Sequence, residues 1–291
     1  MKLKKIKAFM ELARIEHGIM VSIAILTGII TVTGAKIVNY LNLTLSGMII
    51  GLLIEIGVFG FNDYFNVEED KINAPNRPIV RGDISKKEAL VFSASSLAVG
   101  IMIPLLLKHP IDSIIILYTV TLLDMLYNAV LKKYGIIGNL AVSISTAMPF
   151  IYGAVLITPL TNLPTTTISF FTIALLATLS REIIKDIRDL PGDKKAGIIT
   201  LPQVVGISNS FKISIILMTT AIILSLLTIP IVKNKQLYTP LIVITDLVLV
   251  YSILCVKRIQ EVNVRELDKF RKYSLLGMTI GILAFLFGSL A

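Results

Sequence analysis

Nine apolar stretches, each close to the length a helix needs to cross a bilayer, fill most of this chain. They lie near 18–38, 45–65, 88–107, 111–130, 137–157, 166–185, 211–232, 238–256 and 274–290. A hydrocarbon core of ~30 Å takes about 20 helical residues. Lipid offers no partner to an unpaired backbone group, so helix is the state these stretches must hold. The expected fold class is therefore all-α, a polytopic membrane protein with nine transmembrane helices. Composition agrees: the 291 residues are 55% hydrophobic and 16% charged, against roughly 25% charged in a soluble domain.

The net charge of +9 would suit a nucleic-acid partner if the cations lay along one soluble face. They sit instead in short segments between apolar stretches, so no nucleic acid is expected. With the N-terminus in the cytoplasm, the inner segments hold almost every Lys and Arg, from Lys2 through Arg81, Lys132, Arg188 and Lys212 to Lys257, Arg258 and Lys272. Lys36, Lys108, Lys233 and Lys235 are the exceptions. The positive-inside rule then places the protein in the cell membrane, multi-pass, with its N-terminus and its acidic clusters on the cytoplasmic side. Met1–Lys7 is basic and precedes an apolar run, as in a signal peptide, but that run is long enough to be retained as a first span. Cys255 is the single cysteine, and His17 and His109 are far apart, so any bound metal must use oxygen ligands, which means a hard cation.

Two acidic clusters follow the second and sixth spans. The first reads Asn62-Asp63-Tyr64-Phe65-Asn66-Val67-Glu68-Glu69-Asp70, with Asn62, Asn66 and Asp70 at i, i+4 and i+8. In the second, Glu182, Asp186, Asp189 and Asp193 follow i, i+4, i+7 and i+11, one helical stripe. Pro191-Gly192 predicts a break before Asp193. Arg181, Lys185 and Arg188 occupy the adjoining stripe. Either cluster alone reads as a solvated helix end. Two at equivalent ends of spans point to Mg²⁺, which takes one or two carboxylates together with substrate phosphate. The correspondence is one of layout only, each cluster being followed by a basic loop with Gly and Pro. The inner segments 66–87, 186–210 and 257–273 are expected to form a cytoplasmic polar cap over the site.

The surrounding cations fit an anionic substrate, although topology alone accounts for most of them. Arg77 and Arg81 follow the first cluster, and Lys132 and Lys133 follow the fourth span just after Tyr127. Arginine forks and lysine point charges both suit phosphate oxygens. Arg14 and His17 open the first span and either contact an acceptor or snorkel to the interface. Tyr64, Phe65, Tyr127, Phe150 and Tyr152 either form interface belts or line a channel and shield a cation. Asp124 and Asn139 are expected to hydrogen-bond between helices.

The pattern Asn62-Asp63-x-x-Asn66-x-x-x-Asp70, with Lys185-Asp186-x-x-Asp189-x-x-Gly192-Asp193, resembles the UbiA superfamily of intramembrane prenyltransferases. Asn76-Arg77-Pro78, Tyr127 with Lys132, Gly138-Asn139 and Thr200-Leu201-Pro202 extend the likeness over nearly the whole chain as a single domain. The resemblance implies a helical horseshoe around a central cavity, Mg²⁺ as cofactor, an isoprenyl diphosphate donor and a lipophilic acceptor among the membrane lipids. By position it implies metal ligands at Asn62, Asp70, Asp186 and Asp193, extended here to Asn66 and Asp189. It also implies diphosphate contacts at Lys71, Arg77, Lys132 and Lys185. Asp63, Asp186 and Lys185 are the expected catalytic groups, and Arg14, His17, Arg81, Tyr127 and Lys133 the further substrate contacts. Asn66 stands where the family usually carries Asp. Asn62-Asp63-Tyr64-Phe65 and Arg181-Glu182-x-x-Lys185-Asp186 are most similar to the archaeal branch that prenylates a lipid phosphate acceptor, geranylgeranylglyceryl phosphate. Prenylation of an aromatic acceptor shares the donor motifs, and a membrane transporter would also want carboxylates in its spans.

Overall fold

A computed structural model describes residues 2–195, 197–256 and 263–290; Lys257 and Arg258 of the last inner segment lie outside them. The helices in chain order are α1 (Lys2–Ala13), α2 (Ile15–Thr33), α3 (Leu41–Phe65), α4 (Val67–Asn73), α5 (Lys86–Leu106) and α6 (Ile111–Ala129). They continue with α7 (Ile136–Val155), α8 (Thr165–Lys195), α9 (Leu201–Val205), α10 (Ile207–Leu227), α11 (Lys235–Leu254) and α12 (Val264–Ser289). No strand occurs among the described residues.

Eight stretches among these residues are long and apolar enough to cross a membrane, where nine were expected. The difference lies in the first, Ile15–Phe65, which runs unbroken in apolar character through α2, a 3₁₀ segment at Gly34–Tyr40, and α3. Gly18 faces Leu52, Ser22 Oγ donates to the Met48 carbonyl at 3.1 Å, and Ile25 faces Gly47, so α2 and α3 lie antiparallel.

The long helices form a ring. α2 packs on α3, α3 on α5 and α6, α6 on α7, α7 on α8, α8 on α10, α10 on α11 and α11 on α12, and α12 returns to α2. One apolar cluster joins α8, α10, α11 and α12 around Phe170, Tyr238 and Phe285. Another joins α2, α3, α5, α6 and α7 around Ile25, Ile54 and Tyr152. The α2–α7 crossing is held close by Gly28 against the Phe150 carbonyl and Gly153 against the Ile25 carbonyl. Neither position has room for a Cβ, the small-residue packing that lets helices approach without hydrophobic drive from water. Polar pairs stitch other helices together: Thr31 meets Thr167 at 2.6 Å, and Ser180 meets Ser214 at 2.8 Å.

Two local features position the site. Arg14 has φ of 43°, a left-handed conformation that breaks α1 from α2. Such a residue costs of order 1–3 kcal/mol and persists where its surroundings hold it. Second, α8 continues through Pro191-Gly192 to Lys195, correcting the expected break. Proline's fixed φ is already helical, and its missing N–H removes one bond from a helix of 31 residues.

Candidate active site

Inside the ring lies a cavity of about 1010 Å³ whose walls come from α2, α3, α6, α7, α8, α10, α11 and α12. Its charged end gathers residues from both clusters: Asn62 and Asp70 from the first, and Glu182, Asp186, Asp189 and Asp193 from the second. Because α8 does not break, Asp193 stays on the stripe of Asp186. Arg14, His17, Arg77, Tyr127, Lys132 and Lys185 line the same end. Away from it the wall is mostly apolar, with Val21, Ile25, Phe150, Ile173, Ile242 and Phe285.

Each charged side chain is held by specific partners. Asp186, 9% exposed, accepts a hydrogen bond from Asn139 Nδ2 at 2.7 Å. Lys185 Nζ donates to Glu182 Oε2 at 3.1 Å, and Arg188 Nη1 donates to Asp189 Oδ1 at 2.9 Å. Arg77 Nε lies 3.5 Å from Asp70 Oδ2. Arg14 stacks over Phe59, 4.3 Å from its ring centre, and His17 meets the same ring edge-on. Burial lowers the pKa of Arg14, and burial together with the like charge of Arg14 pushes Arg77 down to about 10.

Several expected site residues are placed elsewhere: among the described residues the cavity wall does not include Asp63, Asn66, Lys71, Arg81 or Lys133. Asp63 is 2% exposed and its Oδ1 accepts from Arg14 Nη2 at 2.7 Å and from Arg77 Nη1. It is one residue, about 100°, round the helix from Asn62, which turns it from the cavity toward the two arginines. Asn66 Nδ2 donates to Asn62 Oδ1 at 2.5 Å. A carboxylate could not make that donation, which accounts for the amide where the family usually carries Asp. Lys71 pairs with the exposed Glu68 at 2.8 Å. Arg81 reaches Glu11 at 2.5 Å and Asp83 at 2.8 Å on the surface beside α1, and Lys133 is exposed.

Of the aromatic candidates, Tyr127, Phe150 and Tyr152 line the cavity. Tyr64 instead lies under Lys86, and Phe65 is half exposed. Asn139 and Asp124 do bond between helices, the latter accepting from Ser145 at 2.5 Å, and both also face the cavity. Sequence reasoning did not select Arg181, Arg271 or Asn128 for the site, yet all three line it. Arg181 and Asn128 carried the signal of lying within a turn of Lys185 and Tyr127, whereas Arg271 has no selected residue near it in sequence. From segments 66–87 and 186–210, Ala74, Ile198 and Thr200 border the charged end.

The donor set fits a magnesium ion. Asn62, Asp70, Asp186, Asp189 and Asp193 offer hard oxygens at one end of one cavity. No three acidic or imidazole groups among the described residues close into a cage by themselves. Mg²⁺ commonly takes only one or two carboxylates and completes its coordination with substrate phosphate and water.

Residues 21–276 match the UbiA prenyltransferase family. The chain is 38% identical over 229 residues to the digeranylgeranylglyceryl phosphate synthase of Methanosphaera stadtmanae, covering 79% of this chain and 81% of that one. It is 33% identical over 293 residues to the synthase of the same name from Saccharolobus solfataricus, covering 98% of each. Among solved structures, a digeranylgeranylglyceryl phosphate synthase superposes with a TM-score of 0.75 at 31% identity, covering 98% of both chains. A UbiA homologue from Archaeoglobus fulgidus bound to GPP and Mg²⁺ shares the fold, with a TM-score of 0.68 at 17% identity over 96% of this chain and 99% of that one.

Proposed function

Because this chain belongs to the UbiA prenyltransferase family, we propose that it is an intramembrane digeranylgeranylglyceryl phosphate synthase. It transfers a geranylgeranyl group from geranylgeranyl diphosphate to the free hydroxyl of geranylgeranylglyceryl phosphate and releases diphosphate, a step in archaeal ether-lipid synthesis. The observation that carries this reading is a single cavity with carboxylates and cations at one end and an apolar wall beyond. A diphosphate with a long isoprenoid tail has that same polarity. The names of the relatives support the acceptor.

Mg²⁺ would be held by Asn62, Asp70, Asp186, Asp189 and Asp193; when bound it supplies charge neutralisation that makes diphosphate a better leaving group. Arg14, Arg77, Lys132 and Lys185 supply fixed positive charge where negative charge develops. A guanidinium carries five N–H donors, so Arg14 and Arg77 keep donors for phosphate oxygens after their bonds to Asp63. Asn139 orients Asp186, and Asn66 orients Asn62. The allylic C–O bond of the donor breaks with its electron pair going to diphosphate. The acceptor hydroxyl oxygen forms the new ether bond to that carbon and gives up its proton. The apolar wall excludes water, which would otherwise capture the prenyl group as a free alcohol.

The test is incubation of purified protein with Mg²⁺ and geranylgeranyl diphosphate, offering geranylgeranylglyceryl phosphate and 4-hydroxybenzoate in parallel, with products identified by mass. A diether phosphate is expected. Product from the aromatic acceptor alone would reassign the acceptor, and absence of diphosphate release would reopen a transport role.

A further inference from the structure

Arg181 faces the cavity but has neutral partners. Its Nε donates to Ser274 Oγ at 3.1 Å and its Nη2 to the Arg271 carbonyl at 3.5 Å. The adjacent Glu182 carboxylate is taken by Lys185. Arg271 stands beside it on α12 and is no better matched: Asp268 lies 3.9 Å away and is held by Arg188 at 2.6 Å. His17 lines the same cavity. Among the described residues Arg271 shares Asp268 with Arg188, and Arg181 shares the field of Glu182 with Lys185, so two half-buried guanidiniums side by side keep donors that favour an anion between them. Arg181 lies about 140° round α8 from Asp186, off the acidic stripe assigned to the metal, one turn before Lys185 and on the side of α8 that meets α12.

What extends from these cations is apolar. Arg271, Leu275, Met278, Ile282 and Phe285 all line the cavity, at i, i+4, i+7, i+11 and i+14 on one stripe of α12. The stripe runs for about 21 Å, a cation at one end and hydrocarbon along the rest.

We propose that Arg181 and Arg271 form a second anion cradle that binds the phosphate of the acceptor lipid. The acceptor's isoprenoid chain would lie along the α12 stripe. This rests on the lipid-phosphate reading above and adds the residues that select the acceptor. It separates the two phosphate groups of the reaction, the leaving diphosphate among Asn62, Asp70, Asp186 and Lys132, and the retained monoester between α8 and α12.

The experiment measures KM for geranylgeranylglyceryl phosphate and for phosphate-free geranylgeranylglycerol, at saturating Mg²⁺ and geranylgeranyl diphosphate. Arg181→Gln should raise KM for the phosphate acceptor by about tenfold or more, the scale of one charge-assisted hydrogen bond. It should leave KM for the alcohol and for the donor within about twofold, and Arg181→Lys should restore part of the preference. Arg271→Gln carries the same expectation and decides the matter if the Arg181 variants fail to fold. Equal losses on both acceptors, a donor KM that rises in step, or an unchanged preference in both glutamine variants would overturn the cradle. Wild-type protein that prenylates 4-hydroxybenzoate and not the lipid phosphate would remove the underlying reading before any variant is made, and the cradle with it.

Discussion

Asn139 fixes Asp186 through one hydrogen bond, and partners of this kind commonly set metal affinity or activity by 10–100-fold. Asn139→Ala should therefore raise the Mg²⁺ concentration for half-maximal turnover by about 10–100-fold, read from a magnesium titration. Asp186→Ala and Asp193→Ala should each abolish turnover, by about 10²-fold or more, while the folded protein remains in the membrane. Full activity in both would remove the metal assignment. Asp63→Ala should act through the fold, because it leaves Arg14 and Arg77 without their shared carboxylate. Breaking a buried pair from one side costs about 3–5 kcal/mol, to be measured as lost stability in detergent. The shared placement of Glu182, Asp186, Asp189 and Asp193 along one cavity wall was legible from spacing, since i, i+4 and i+7 fix a stripe. The role of Asp63 was not: spacing gives an angle around a helix, and only the packing of α2 and the 74–77 turn shows what meets that angle. Asn66 was misplaced for the same reason, because sharing a face with Asn62 does not say which amide faces the substrate.

Continuity of α8 decides whether the second cluster acts as one surface. A single alanine inserted between Leu190 and Pro191 would rotate Asp193 by about 100° relative to Asp186. Activity should fall toward that of Asp193→Ala, whereas Gly192→Ala, where a Cβ meets nothing, should remain active; assay of the two side by side reads the difference. At the α2–α7 crossing the reverse holds. Gly153→Val would drive a side chain into the Ile25 carbonyl and should destabilise by at least the 1–3 kcal/mol typical of overpacking, seen as a lowered melting temperature. The all-helical class and the approximate bounds of the long helices were readable from hydrophobicity alone, because lipid permits little else. The unbroken α8 was not, because the Pro191-Gly192 signal speaks of local preference and the helix there is carried by its length and packing. The stretch Ile15–Phe65 is continuous in apolar character, yet its helix ends at Gly34 and reverses through the 3₁₀ segment into α3.

Across the whole molecule, residues of both acidic clusters and several of the cations around them line one cavity. With Cys255 replaced by Ser, Lys194→Cys should react with an impermeant thiol reagent from the cytoplasmic side and Lys36→Cys from the opposite side. The reverse pattern would invert the orientation read from the basic segments. Which helices are neighbours in the ring, and hence that Arg181 and Arg271 meet, lies beyond sequence, since residues 90 apart carry no common period. The ring also has an order of assembly. Arg14, Asp63 and Arg77 come from the first third of the chain, and the Asp63 carboxylate is shared by the two guanidiniums without help from α7 or α8. A ribosome therefore releases the buried Asp63 already paired, long before Asp186 and Asp193 have been translated. The nascent first hairpin can wait in the bilayer as a self-contained unit, and the second cluster joins a half-site whose electrostatics are already settled.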